Sequence, residues 1–224
     1  MENIYIEDIR YKKILKGGSI DIAQGEFVLI CGRTGSGKTT LLKLLKEKAG
    51  TDAGYVMQNP DNQIVCDKVY TELEFAASAG NASRDYVRTR IAETAAYFGI
   101  SGMLDKEVDK LSGGEKQRIS IARMILKNAP IVILDEATAF TDQENEEKIQ
   151  QSIAALTKGK TLLVIAHRLS TIKNADQIIV LQNGQVENTG THQQLLDGDA
   201  LYRDMWEAHI GAQNWSAGSG KGGN

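Results

Sequence analysis

Phe27–Lys48 reads FVLICGRTGSGKTTLLKLLKEK, and this stretch decides the fold. Phe27–Cys31 is a short apolar run, the pattern of a strand buried on both faces. Gly32–Gly37 follows as a glycine-rich turn. Lys38–Lys48 then sets Leu41, Leu42, Leu44 and Leu45 on the inner side of a helix. Strand, glycine-rich loop and helix in that order are the context of a phosphate-binding loop. Without a Cβ at positions 32, 35 and 37, backbone N–H groups come close to an anion. The N-terminus of the following helix faces the same anion. Lys38 offers a point charge to phosphate oxygens, and the Thr39 hydroxyl suits a magnesium ion. Gly32, Gly35, Ser36, Gly37, Lys38, Thr39 and Thr40 are therefore the candidate nucleotide-binding set.

Outward from this stretch, Tyr55–Met57 reads as a short strand leading to Gln58, and Asn59-Pro60 breaks it. Val69–Ala79 and Tyr86–Phe98 read as helices. LSGGEK (Leu111–Lys116) opens a helix over Glu115–Lys127, with Ser112 and Glu115 at capping-box spacing. Pro130 ends that helix. In IVILDEAT (Ile131–Thr138), Ile131–Asp135 reads as a parallel-sheet strand ending in a carboxylate, with Glu136 one residue on. Gln143–Leu156 reads as an amphipathic helix with Ile149 and Ile153 inward. Thr161–Ala166 is a further strand, followed by His167. Gln177–Leu181 and Gln185–Asn188 flank Asn183-Gly184, a strong hairpin signal.

Five motifs in one order resemble the ATP-binding cassette (ABC) ATPases, the motor domains of ABC transporters. They are GRTGSGKT, Gln58 in YVMQNPDNQ, LSGGEK, IVILDEAT, and His167 in IAHRLST. The resemblance runs from about residue 3 to about residue 209. It implies an α/β fold: a P-loop NTPase core with a mostly parallel sheet and an inserted helical subdomain at about 66–127. The nucleotide-binding domain would cover 1–210. The Gly- and Ser-rich residues 211–224 predict a disordered tail.

The resemblance also implies ATP and Mg²⁺ as cofactors. Asp135 would hold Mg²⁺ through water, with Thr39 and Gln58 as the other metal-facing residues. Glu136 would act on the attacking water, and His167 would contact the γ-phosphate. Gln58 would sense the metal and γ-phosphate and face a membrane partner. Ser112, Gly113 and Gly114 would approach ATP held by a second cassette, so the working unit is a dimer of identical or different cassettes. Tyr11 would stack on adenine, with Tyr5 as the alternative. AFTD (Ala139–Asp142) stands where the family often has SALD, and Glu115 where it more often has Gln.

Two departures stand out. Lys38 and Gln58 are only 20 residues apart, where the family commonly spends twice that on antiparallel strands. Tyr11 lies only four residues before Leu15. The expectation is a reduced antiparallel β-subdomain. The chain is also a mosaic. YVMQNPDNQIVCDKV looks like the ATPase subunits of energy-coupling-factor and cobalt-type importers. ILKNAPIVILDEATAFTDQENE and the stretch after IAHRLST look like exporter ATPase domains.

Composition fits this reading. Hydrophobic content of 42% and charged content of 25% are those of a globular protein. A net charge of −3 leaves no overall basic footprint for nucleic acid. The apolar runs FVLIC and LLVIA are far short of a membrane span, and no signal peptide pattern opens the chain. The expected location is cytoplasmic, at the inner face of the membrane, reached only through transmembrane permease subunits. Cys31 and Cys66 read as small buried side chains rather than a disulfide. His192 and His209 read as surface. Two other readings compete: a non-transport ABC ATPase of DNA repair or translation, and a regulatory module with weak turnover. No long coiled coil precedes LSGG and only one cassette is present, against the first.

Overall fold

The computed structural model describes residues 3–78, 82–135, 153, 158–165 and 174–208. In chain order the elements begin with β1 (Ile4–Ile6), β2 (Arg10–Tyr11), β3 (Leu15–Lys16), β4 (Ile20–Ile22) and β5 (Phe27–Cys31). Then come α1 (Lys38–Ala49), β6 (Ala53–Val56), α2 (Val69–Ala77), α3 (Arg84–Tyr97) and α4 (Gly113–Lys127). The last are β7 (Ile131–Asp135), β8 (Thr161–Ile165), β9 (Gln177–Gln182), β10 (Gln185–Gly190), α5 (His192–Gly198) and α6 (200–208). The chain divides into two compact units, Met1–Leu45 with Val164–Asn224, and Lys46–Leu163.

In the first unit β5 runs parallel to β9, with Val28 opposite Gln177 and Cys31 opposite Val180. Val28, Leu29 and Ile30 are wholly buried, which is why this strand carries no alternation. Each such side chain contributes about 1.5–3 kcal/mol of burial free energy. Leu29, Cys31, Ile178, Val180, Leu195 and Tyr202 form one core cluster, so α5 and α6 pack on this sheet. β9 and β10 pair antiparallel across Asn183 (φ 52°) and Gly184 (φ 82°). Two successive left-handed residues give the hairpin turn that the Asn-Gly pair predicts.

Gly184 has a second reason to be glycine. A Cβ there would stand 1.8 Å from the Ile14 carbonyl oxygen. The Lys16 N–H donates to the Gly184 carbonyl at 2.8 Å, and the Gly184 N–H donates to the Ser36 carbonyl at 3.0 Å. The hairpin turn thus ties the N-terminal strands to the glycine-rich loop.

The expected antiparallel region is present and small. β1 pairs with β4, and β2 with β3, as two separate two-stranded ladders. Lys12 takes φ 53° in the tight turn between β2 and β3. The short connection after α1 holds no strand. α1 runs to Ala49, a 3₁₀ turn fills Gly50–Asp52, and β6 starts at Ala53.

In the second unit β6 runs parallel to β7, with Tyr55 opposite Ile133 and Val56 opposite Leu134. α4 lies close to β6, since a Cβ on Gly54 would meet Met124 Cγ at 3.0 Å. α4 begins at Gly113, two residues earlier than its periodicity predicts, because Ser112 caps it. It ends at Asn128 in the left-handed conformation, before Pro130 is reached. α2, α3 and α4 pack against one another, and Leu73, Val87, Ile91, Ile119 and Ile121 on them are buried.

One charged pair is enclosed in this packing. Glu72 is fully buried and meets Arg123 Nη1 at 2.7 Å. The other Glu72 oxygen accepts from the N–H groups of Val65 (3.0 Å) and Cys66 (2.8 Å). Arg123 also donates to the Gln63 carbonyl. These bonds fasten residues 63–66 to α2 and α4.

Of the helix expected over Gln143–Leu156, only Ile153 is described, and it is helical and buried. Cys31 is buried as expected, while Cys66 is partly exposed; both are free thiols. No helix among the described residues is long and apolar enough to cross a membrane.

Candidate functional site

In the first unit, β5 delivers the chain into the loop at Gly32, and α1 leads it away from Lys38. Gly32 takes φ 149°, Gly35 φ 81° and Gly37 φ 103°. A Cβ on Gly32 would lie 2.2 Å from the Leu181 carbonyl oxygen and 2.7 Å from Ser36 Oγ. Only glycine lets the loop run this close to β9. At Gly35 the space is open and the conformation alone requires glycine.

The Ser36 N–H closes the turn onto the Arg33 carbonyl at 3.1 Å. Lys38 Nζ donates to the carbonyls of Gly32 (2.9 Å) and Arg33 (3.1 Å), so its ammonium lies against the loop. Among the described residues Ser36 Oγ is buried and makes no hydrogen bond. A loop that has no room for a Cβ at Gly32, a lysine ammonium against it and an unsatisfied buried hydroxyl fit a phosphate chain. Burial, then the charge of Asp199, pushes the Cys31 thiol at the foot of the loop up to about 12. Cys31 is thus an inert packing group rather than a nucleophile.

Thr39 and Thr40 open α1, with the Thr39 side chain exposed. Tyr11 sits in β2, half-buried, with Lys12 Nζ 5.3 Å from its ring centroid. Tyr5 is 60% exposed.

The second unit carries the other candidates. Gln58 is exposed just beyond β6. Asp135 is 4% exposed at the end of β7. The Tyr55 hydroxyl donates to Asp135 Oδ2 at 2.7 Å. Burial and this bond raise the Tyr55 phenol well above its ordinary value, so it remains a proton donor. The Asp135 carboxylate of this unit is a hard oxygen donor, the chemistry Mg²⁺ takes, and the Thr39 hydroxyl of the first unit is by itself a donor of the same kind.

Ser112 and Glu115 make the full capping box. The Glu115 N–H donates to Ser112 Oγ (3.3 Å), and the Ser112 N–H donates to Glu115 Oε2 (2.7 Å). Ser112 Oγ also donates to the same carboxylate at 2.9 Å. The bond from the Ser112 backbone holds the Glu115 carboxyl below its ordinary value. Glu115 therefore does the work of a helix cap, which suits the helix N-terminus. Lys116 forms an ion pair with Asp61 at 2.7 Å, joining LSGGEK to the NPDNQ segment after Gln58. An open cleft of about 940 Å³ lies in this unit, lined by Tyr55, Met57, Gln63, Phe75 and Arg123 among others.

Glu136, His167, Ala139–Asp142 and His209 lie outside the described residues. Sequence reading missed Tyr55, Gln63, Glu72 and Arg123, whose partners are far away in the chain or backbone groups. It also misplaced His192. That ring is half-buried, with Nδ1 2.7 Å from the Tyr202 hydroxyl and its centroid 4.5 Å from the Trp206 ring. Tyr202 and Trp206 at i, i+4 spacing were the available signal for an inward helix face.

The profile of the family described as ABC transporter matches residues 15–139, more than half of the chain. The chain belongs to the ABC transporter family. An ATP-dependent lipid A-core flippase of Francisella tularensis is 36% identical to this ABC cassette, over 93% of the cassette and 39% of the flippase. The cassette thus spans about two-fifths of that relative's length. A bacterial Atm1-family ABC exporter solved with ATP bound superposes with a TM-score of 0.75 at 32% identity. That match covers 92% of the cassette and 41% of the exporter chain. CbiO1 of Clostridium perfringens, part of an ABC transporter complex, superposes with a TM-score of 0.72 at 25% identity. Here the match covers 89% of the cassette and 92% of the other chain.

Likeness to both an exporter and cbiO1 agrees with the mosaic of motifs. The flippase alignment has 240 positions, while 93% of this cassette is about 208 residues, so about 32 positions face gaps in it.

Proposed function

We propose that this cassette binds Mg·ATP and hydrolyses it to drive an ABC-type transmembrane transporter. The observation that carries the reading is the loop Gly32–Gly37, built so that a Cβ at Gly32 would strike backbone, with the Lys38 ammonium against it. Gly32, Gly35, Ser36, Gly37, Lys38, Thr39 and Thr40 would hold the phosphates. Thr39, Gln58 and Asp135 would serve Mg²⁺, which when bound would supply neutralisation of phosphate charge. Glu136 would orient and deprotonate the attacking water, with Gln58 and His167 at the γ-phosphate. Phosphoryl transfer needs mostly positioning and charge stabilisation, which such a set supplies.

Ser112, Gly113 and Gly114 would complete the site of a second cassette. α4 starts there, Ser112 and Gly113 are exposed, and a helix N-terminus favours phosphate. On this reading 1–210 is one nucleotide-binding domain, about 66–127 its helical part, and 211–224 a tail. Permease subunits would meet the cleft beside Gln58, where Phe75 is 63% exposed. The cassette would then work at the cytoplasmic face of the membrane, through that partner and without nucleic acid. The test is phosphate release from ATP by the purified chain, with Mg²⁺ and in EDTA. Mg²⁺-dependent release is expected; none under any condition would overturn turnover.

The base side is thinner. Its wall comes from two- and three-residue strands and from Tyr11, one face of which already carries Lys12. Aromatic stacking adds about 0.5–1.5 kcal/mol beyond burial. ATP and GTP are therefore expected to bind within about ten-fold of each other, and Tyr11→Ala to weaken both modestly. A strong preference for ATP that disappears in Tyr11→Ala would show a complete adenine platform.

A further inference from the structure

We propose that Tyr55 is a positioning residue for Asp135, its hydroxyl fixing the carboxylate that serves the magnesium ion. The inference rests on the Mg·ATP reading above and adds to it a residue that YVMQNPDNQ contains but to which the motif reading gives no role. Parallel pairing sets Tyr55 opposite Ile133, two residues short of Asp135 on the adjoining strand. The long phenol spans that offset and brings its hydroxyl 2.7 Å from Asp135 Oδ2.

The phenol is itself held. Tyr55 is 8% exposed, and Lys46 Nζ stands 5.4 Å from its ring centroid. Gln63 clamps the backbone on both sides of Val56: its Nε2 donates to the Tyr55 carbonyl at 2.7 Å, and its Oε1 accepts from the Met57 N–H at 3.0 Å. A donor fixed in this way sets the plane of the carboxylate. Groups that orient a metal-facing carboxylate contribute to metal affinity without touching the metal. The same strand leads directly to Gln58, so one rigid element carries both a metal-facing amide and the support of Asp135.

The test is the affinity of a non-hydrolysable ATP analogue, measured by calorimetry with excess Mg²⁺ and again in EDTA. The ratio of the two affinities is the gain due to the metal. In Tyr55→Phe, which keeps the ring and removes the hydroxyl, that gain is expected to fall about 10-fold, with the EDTA affinity unchanged. In the Asp135→Asn background, adding Tyr55→Phe is expected to change nothing further. An unchanged gain in Tyr55→Phe overturns the proposal. An equal loss with and without Mg²⁺ also overturns it, since it marks a purely structural tyrosine. If the parent chain binds the analogue but shows no gain from Mg²⁺, the metal reading of Asp135 fails, and the role of Tyr55 with it. If the parent chain does not bind the analogue at all, the ATP reading itself fails.

Discussion

Glu136→Gln is expected to bind ATP as the parent chain does and to release phosphate roughly 10²–10⁴-fold more slowly. β7 ends in buried Asp135, and Glu136 is the next residue. The amide keeps the size and shape of the carboxylate. It can still accept a hydrogen bond from water but cannot take its proton. Binding, which depends on the loop before α1, is untouched. With hydrolysis blocked, the ATP-bound pair of cassettes should persist, so the variant should elute as a dimer with ATP and as a monomer without it. Single-turnover phosphate release and size-exclusion chromatography read the two effects. Parent-like turnover in this variant would mean that another group serves as the base.

Lys38→Ala is expected to weaken Mg·ATP binding by at least about 10²-fold. Hydrogen bonds to charged groups are worth about 1.5–3 kcal/mol each, and on the proposed reading the ammonium would make more than one to a triphosphate. The same ammonium lies on the carbonyls of Gly32 and Arg33. Those oxygens are reachable by water once the side chain is gone, so the fold should hold and the melting temperature should move little. Lys38→Arg keeps the charge but replaces a compact donor by a planar fork, and should recover only part of the affinity. Unchanged ATP affinity in the alanine variant would remove the loop from the binding site.

Much of the scaffold was written in local pattern. Phe27–Cys31 and Ile131–Asp135 are strands with the bounds that their apolar runs predict, because both are buried on two faces and need no alternation. Asn183-Gly184 is a turn because its two residues tolerate positive φ. The start of α4 was misjudged by two residues, since periodicity begins at the first buried side chain while the cap acts earlier. The two- and three-residue strands β1 to β4 were foreseen only as a reduced antiparallel region; pieces that short carry no period. Tyr55 escaped for a different reason. A strand tyrosine beside Val56 looks like packing, and its partner is 80 residues away. Glu72 and Arg123 each look like an ordinary charged residue on an amphipathic helix until the two helices meet.

That buried pair also constrains how this sequence could change through descent. Removing one member of a buried ion pair costs about 3–5 kcal/mol, a large share of the about 5–15 kcal/mol that holds a domain folded. Replacing both with apolar groups of matched volume is often neutral. Here, though, the Val65 and Cys66 N–H groups would lose their acceptor as well. A lineage carrying Glu72 and Arg123 therefore stands on an isolated peak. Losing either charge alone leads downhill, and losing both takes the acceptor from two amides. Positions 72 and 123 should stay locked together in descendants even while the exposed residues around them drift.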